Sequence, residues 1–265
     1  MSETTQHITK GQVVEALKSV GAKKGDILLV HTFLGAFGRF ENRLDTVAMA
    51  FQETVGPDGT LVFPTYTVKF LSGQDYDHDL TPSEVGVLTE YFRALPEVGR
   101  TFQPVYSHAI WGKKKDEYLE VVSRETLGRD SLFGRLHRDN ALNVNFGTSM
   151  NRGGTFLHYF ERTVEAPYRS LKTFRGNAIK DGRTFSVEVD HYARSMDAPV
   201  ELNFDRFQDR LIEKGLARVA QLGRGMLLGI RLGDFYDEAE LAYQEDPFYF
   251  VLKPVDPDRT KKELD

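Results

Sequence analysis

Apolar residues along the chain follow two alternating patterns. In the first, they recur about every 3.6 positions and predict helices, as in the set Val13, Val14, Leu17 and Val20 and in the set Leu44, Val47, Ala48, Phe51 and Val55. In the second, they form short continuous runs, residues 26–31 and 60–63, which are typical of strands buried on both faces. Two such strands with a helix between them predict a βαβ unit with parallel strands.

The same alternation continues to about residue 165. A helix capped by Ser83 is predicted up to Leu95, strands are predicted over residues 105–111 and 141–146, and a short helix begins at Thr155. Further elements then follow: a hairpin over 172–190 with its turn at 180–182, a helix over 204–214, strands near 217–221 and 226–232, and a helix over 234–243.

These elements predict one domain over residues 1–265. The expected fold class is α/β, a layered α/β/α arrangement around a mixed sheet, with an α+β C-terminal extension. The core is expected over about 9–165, the extension over about 166–255, and a charged tail over 256–265.

Composition narrows the classes of function. The chain has 265 residues and no Cys, which excludes disulfides, Cys-ligated metals and an acyl-cysteine mechanism. Its net charge of −5 argues against a nucleic-acid partner, because phosphate binding needs a basic face. The longest apolar runs are shorter than the roughly 20 residues of a membrane span, and the N-terminus does not resemble a signal peptide. We therefore expect a cytoplasmic protein without a membrane partner, and a homodimer stays open.

Histidines and carboxylates occur together in two arrangements. Residues 75–79, Asp-Tyr-Asp-His-Asp, form either a solvated acidic loop, which is favoured, or a site for a hard metal ion. His158 and Glu161 are three positions apart on one predicted helix, which suits either a buried structural histidine or a functional pair. His31 ends a buried strand at the edge where α/β folds bind ligands, and it too is either structural or functional.

Five stretches of the chain resemble the aminoglycoside 3-N-acetyltransferase family and occur in the family's order. They are LVHTFL with the following FG (29–34, 37–38), VGPDGTLVFPTYT (55–67), TPSEVGVLTEYFR (81–93), DSLFG (130–134) and TFLHYFE (155–161). The resemblance covers about residues 9–165 and is weaker beyond them. It implies an N-acyltransferase that uses acetyl-CoA, or another acyl-CoA, as co-substrate and needs no metal.

The resemblance also implies roles for individual residues. His158 is expected to act as general base on the substrate amine, with Glu90, or alternatively Glu161, orienting its ring and Thr155 near the thioester. The amine substrate is expected to contact Tyr66 and Glu161. The residues expected to contact acyl-CoA are His31, Thr32, Phe33, Leu34, Thr65 and Ser107.

One stretch departs from the family pattern. Where the family reads RSxHPxHS, residues 100–107 read RTFQPVYS, so Gln103 and Tyr106 occupy the positions of two family histidines. This leaves the acceptor open between an aminoglycoside and an amino sugar or sugar nucleotide of a biosynthetic pathway.

Two hypotheses from other classes also remain. One is a metal-assisted hydrolase that uses His31, residues 77–79 and His158. The other is a catalytically silent binding protein on the same fold, which would retain a CoA or sugar site.

Overall fold

The computed structural model describes residues 7–194 and 200–252. Its strands are β1 (Ile27–Thr32), β2 (Thr60–Pro64), β3 (Tyr76–Asp77), β4 (Gly99–Arg100), β5 (His108–Gly112), β6 (Leu142–Phe146), β7 (Arg169–Lys180), β8 (Arg183–Arg194), β9 (Arg218–Leu222) and β10 (Gly225–Arg231). Its helices are α1 (Lys10–Ser19), α2 (Leu44–Val55), α3 (Val87–Arg93), α4 (Lys115–Leu119), α5 (Leu132–Arg138), α6 (Met150–Gly153), α7 (Thr155–Thr163), α8 (Phe204–Glu213) and α9 (Leu232–Glu245). Short 3-10 turns cover Leu34–Ala36 and Val68–Ser72.

A seven-stranded mixed sheet forms the centre of the fold, in the order β4-β5-β2-β1-β6-β10-β9. Strand β1 pairs in parallel with β2 and with β6, which confirms the predicted βαβ unit. Successive residues of β1 enter opposite cores: Leu28 and Val30 pack with α1 and α2, whereas Leu29 packs with the helices on the other face. The predicted layered α/β/α fold is therefore confirmed.

The hairpin of β7 and β8 forms a second sheet with β3. Its turn residues Asp181 and Gly182 both have positive φ, 49° and 69°, as a two-residue hairpin turn requires. The predicted hairpin is thus confirmed, and its first residue, Arg169, lies close to the end of α7.

Two details differ from the predictions. Strands β9 and β10 of the expected extension join the main sheet, because β10 pairs antiparallel with β6. Helix α3 begins at Val87 with Gly86 as its cap, so the prediction that Ser83 caps it is wrong; the Ser83 N–H instead donates to the Glu90 carboxylate at 2.7 Å.

The described residues have two further limits. The charged tail predicted over 256–265 lies outside them, so the domain bounds stay a prediction. None of the helices within them is both long and apolar enough to cross a membrane.

Candidate active site

Helix α7 begins against the ends of the two central parallel strands. Gly153 and Gly154 precede this helix. A side chain at position 153 would have its Cβ atom 2.9 Å from His31 Cβ on β1 and 2.8 Å from Asn145 Nδ2 on β6. Asn145 Nδ2 also donates to the Gly153 carbonyl at 3.3 Å. A glycine is therefore needed for this close approach, which places the first turn of α7 at the edge of the sheet where α/β folds bind ligands.

His158 and Glu161 form a close pair on α7. Nδ1 of His158 lies 2.7 Å from Glu161 Oε2, and the Glu161 side chain is fully buried whereas 19% of the His158 side chain is exposed. The Tyr168 hydroxyl donates to Glu161 Oε1 at 2.9 Å, and Arg169 Nε lies 2.8 Å from Oε2. The carboxylate thus contacts the histidine, a phenol and a guanidinium, which is how a buried charge avoids a large desolvation cost.

The electrostatics of this cluster favour an ionised Glu161 and a neutral His158. Burial raises the pKa of Glu161, but Arg169, His158 and Tyr168 outweigh it and hold that pKa below its ordinary value. Burial and the Arg169 guanidinium lower the pKa of His158, against the opposite influence of Glu161. A neutral imidazole held by a carboxylate is the arrangement required of a general base.

Next to this pair lies a cavity of about 90 Å³. Four of the predicted site residues line it together: His31, Thr32, Tyr66 and Thr155. The remaining lining residues are Pro64, Val85, Thr89, Thr148 and Arg152. Thr155 precedes His158 by three positions on α7, so the two side chains occupy the same face of the helix. The cavity and the base are therefore neighbours.

Apart from the Arg152 guanidinium, the polar groups of this cavity are uncharged donors and acceptors. Burial raises the pKa of Tyr66 well above its ordinary value, and Thr155 lies within hydrogen-bonding reach of its hydroxyl. Burial lowers the pKa of His31 to about 4. His108 lies 3.4 Å from the Tyr66 hydroxyl through Nε2, and burial lowers its pKa to about 3. Tyr66 and Thr155 can therefore donate hydrogen bonds into the cavity from uncharged hydroxyl groups.

The structure corrects the expected role of Glu90. Its carboxylate pairs with Arg93, at 2.6 Å to Nη2 and 2.9 Å to Nε, and accepts from the Ser83 N–H. Glu161, not Glu90, contacts the His158 ring. Glu161 is also fully buried in this structure, and its expected contact with the substrate stays a prediction.

Thr65 and Ser107 lie inside the protein. Both are fully buried and contact each other through their hydroxyls at 3.0 Å, and Arg100 Nε donates to Ser107 Oγ at 3.0 Å. No surface of either residue is exposed in this structure, and their predicted contact with acyl-CoA stays a prediction. Their hydroxyls join the residue that precedes β5 to the residue that follows β2.

Phe33 and Leu34 form the loop after β1. Phe33 is 51% exposed, and Leu34 lines a second, open cavity of about 670 Å³. Arg39, Glu41, Arg43 and Leu44 line the same cavity, which therefore combines apolar surface with two exposed cations and one exposed carboxylate.

Gln103 and residues 75–79 have structural partners. Gln103 Oε1 accepts the backbone N–H groups of Val105 and Tyr106, each at 2.7 Å, so it stabilises a turn. In the acidic loop, Asp77 Oδ1 accepts two backbone N–H groups and His78 Nε2 lies 2.8 Å from the Arg100 carbonyl. Among the described residues, no group of three or more His, Asp or Glu side chains is placed to hold a metal ion.

Comparison with known proteins identifies the family. Residues 29–244 match the sequence model of the family described as aminoglycoside 3-N-acetyltransferase. The chain belongs to this family. It is 27% identical over 206 residues to the SPbeta prophage-derived aminoglycoside N(3')-acetyltransferase-like protein YokD of Bacillus subtilis (strain 168), covering 69% of this chain and 75% of that protein. It is 24% identical to aminoglycoside N(3)-acetyltransferase IV of Salmonella sp, covering 92% and 91% of the two chains.

Solved structures agree on the fold of this acetyltransferase family. A structure titled AAC-IIIb binary with CoASH matches with a TM-score of 0.80 and 18% identity, covering 94% of this chain and 100% of that one. The family consists of N-acyltransferases, as the names of the relatives state.

In this family member, three residues of the site carry no signal in the sequence pattern. Tyr168 and Arg169 follow the last of the five stretches that resemble the family pattern, and the turn after α7 brings them back onto Glu161. His108 lies inside a strand that reads as apolar. Spacing along the chain finds pairs on one helix, but it cannot find partners supplied by a different element.

Proposed function

We propose that this chain transfers an acetyl group from acetyl-CoA to an amine of an aminoglycoside, with His158 as general base. The observation that carries the proposal is the contact of 2.7 Å between His158 Nδ1 and the buried Glu161 carboxylate, beside a cavity lined by Thr155 and Tyr66. The family membership and the names of the relatives support the class of reaction.

The residues of the site have separate tasks in this reaction. Acetyl-CoA supplies the acetyl group as a thioester. The nitrogen of the uncharged amine forms the new bond to the carbonyl carbon while His158 takes up the proton that this nitrogen loses. That proton finally passes to the sulfur as the carbon–sulfur bond breaks. Thr155, Tyr66 and the N–H groups at the start of α7 donate to the carbonyl oxygen as negative charge develops on it.

The cavity after β1 fits the remainder of acetyl-CoA. Leu34 and the exposed Phe33 offer apolar surface to the pantetheine arm, and Arg39 and Arg43 offer positive charge to the phosphates. The solved structure with CoASH bound supports a CoA site on this fold.

One observation favours a second acceptor class. Tyr106, where the family has a histidine, is half-buried against the Tyr66 ring, with ring centroids 4.6 Å apart. A bulkier neighbour of the cavity favours an acceptor that presents a single amino-sugar ring, either free or linked to a nucleotide. This is the alternative function.

A CoA-release assay with saturating acetyl-CoA tests the proposal and its alternative. We expect kcat/KM of about 10⁴ M⁻¹s⁻¹ or more, the low end for native substrates, on the preferred class. That value on kanamycin-type aminoglycosides supports the first acceptor class. The same value on amino sugars or sugar nucleotides alone supports the second. Absence of acetyl-CoA binding at millimolar concentration contradicts acyl transfer altogether.

A further inference from the structure

Arg169 contacts both members of the histidine–carboxylate pair from a different element. It is the first residue of β7 and is only 6% exposed. Its Nη2 lies 2.8 Å from His158 Nδ1, and its Nε lies 2.8 Å from Glu161 Oε2. Its Nη1 donates to the Tyr192 carbonyl on β8 at 3.1 Å, which fixes the guanidinium in place. One side chain therefore touches the base, its carboxylate and the neighbouring strand.

The hydrogen-bonding capacities of these groups constrain the protonation of His158. A guanidinium only donates and an ionised carboxylate only accepts, whereas Nδ1 either carries a proton or offers a lone pair. A neutral ring can therefore pair with one of these two groups at a time: Nδ1–H donates to the Glu161 carboxylate, or the Nδ1 lone pair accepts from Arg169. A doubly protonated ring would direct an N–H and a positive charge at the guanidinium, which is unfavourable at this distance.

We propose that Arg169 is a positioning residue that acts through Glu161 and His158, keeping the carboxylate ionised and the imidazole uncharged in the resting protein. The proposal rests on the proposed function only where it concerns catalysis. Arg169 does not touch the reacting atoms in this scheme. It sets the fraction of the protein in which the base is ready to accept a proton.

The other charged and titratable groups around His158 do not reverse this effect. Glu161 on α7 favours the protonated ring, whereas Arg169 on β7 and Arg194 on β8 oppose it. His191, also on β8, has its pKa lowered to about 3 and is neutral at ordinary pH. From α8, the ring of Phe204 approaches His158 with centroids 5.1 Å apart and adds no charge. Burial and Arg169 are the largest influences that lower the pKa of His158.

Titration of the His158 ring by NMR tests the proposal without any substrate. His158→Gln identifies the resonance among the 7 histidines of the chain. In the unaltered protein we expect a pKa below the ordinary value of about 6.5. In Arg169→Gln, which removes the charge, the pKa should rise, and in Arg169→Lys, which keeps it, the pKa should stay nearer to the original. A His158 pKa at or above the ordinary value in the unaltered protein overturns the proposal, even if Arg169→Gln fails to fold.

A pH profile of kcat/KM for the amine connects the same residue to catalysis. In Arg169→Gln the acid limb of the profile should move to higher pH, while KM for acetyl-CoA stays unchanged. In Arg169→Lys the acid limb should lie near its original pH. Loss of packing alone would lower activity at all pH values without moving the limb, and this result would overturn the proposal. If the unaltered protein acetylates no amine, the proposed function fails, and the NMR titration still decides the role of Arg169.

Discussion

The fully buried carboxylate of Glu161 lies 2.7 Å from Nδ1 of His158, one turn earlier on the same helix. Because Nδ1 is held from inside the protein, the ring edge left for a substrate is the one that carries Nε2. Residues three positions apart on a helix are neighbours whatever the rest of the fold does, so this pair is fixed as soon as α7 forms.

Replacing His158 should abolish most of the activity. In His158→Asn the ring that we propose to accept the amine proton is lost, and we expect turnover to fall by roughly 10²–10⁴-fold. Acetyl-CoA binding, measured by calorimetry, should change little, because His158 is not among the residues that line the cavities assigned to the co-substrate. Turnover near the original value would remove His158 from the mechanism.

The two glutamates offer a matched comparison. Glu161→Gln removes the negative charge from a pair with the buried Arg169, so we expect a loss of stability of about 3–5 kcal/mol together with a lower turnover. Glu90→Gln alters a partly exposed pair with Arg93 and should leave turnover nearly unchanged. Urea unfolding and steady-state kinetics on both variants measure this. A larger kinetic effect of Glu90→Gln would restore Glu90 as the orienting carboxylate.

The contrast between these glutamates shows what the sequence can and cannot predict. Helical and strand periods locate β1, β2, β6 and α7, and i, i+3 spacing suggests the His158–Glu161 pair, because these features are local. The burial of Thr65 and Ser107 and the approach of Arg169 depend on β5 and β7, which meet the site only after folding. Family resemblance supplies residue types at positions, but not which of two carboxylates faces a ring.

Replacing the two arginines of the cavity after β1 should weaken the binding of acetyl-CoA and leave the chemical step unchanged. In the double variant Arg39→Gln/Arg43→Gln we expect a higher KM for acetyl-CoA with little change in kcat, because two exposed cations near Leu34 are removed. The difference from the original protein should shrink as salt is raised, since exposed charges are screened. Lys10→Gln, which alters an exposed pair with Glu53 and removes no residue that lines this cavity, is the control. An unchanged KM at low salt would place the phosphates elsewhere.

Stability should fall in mild acid because of buried histidines. Burial lowers the pKa of His31 to about 4 and those of His108 and His191 to about 3, against about 6.5 in an unfolded chain. Below about pH 6.5 the unfolded state therefore binds more protons than the folded state, so the free energy of unfolding decreases as pH falls toward 4. Where this dependence is steepest, the free energy of unfolding decreases by about 1.4 kcal/mol per pH unit for each histidine.

Urea unfolding at pH 7.5, 6.5 and 5.5 measures this dependence. His108→Phe should show a shallower slope than the original protein, because one of the three histidines is removed. A free energy of unfolding that is constant over this range would contradict the neutral, buried state of these rings.

The acceptor preference should depend on Tyr106 more than on Gln103. Tyr106 packs between Tyr66 and His191, with ring centroids 4.6 Å and 5.5 Å away, and so lies beside the catalytic cavity. Tyr106→His reduces the bulk there and adds ring nitrogens, and we expect it to raise kcat/KM for aminoglycosides relative to amino sugars. The matched variant Gln103→His restores the other family histidine at a position that only stabilises a turn, so it should lower the unfolding midpoint and leave the ratio unchanged. A ratio that responds to Gln103→His and not to Tyr106→His would mean that the turn, through the backbone of β5, sets the shape of the acceptor site.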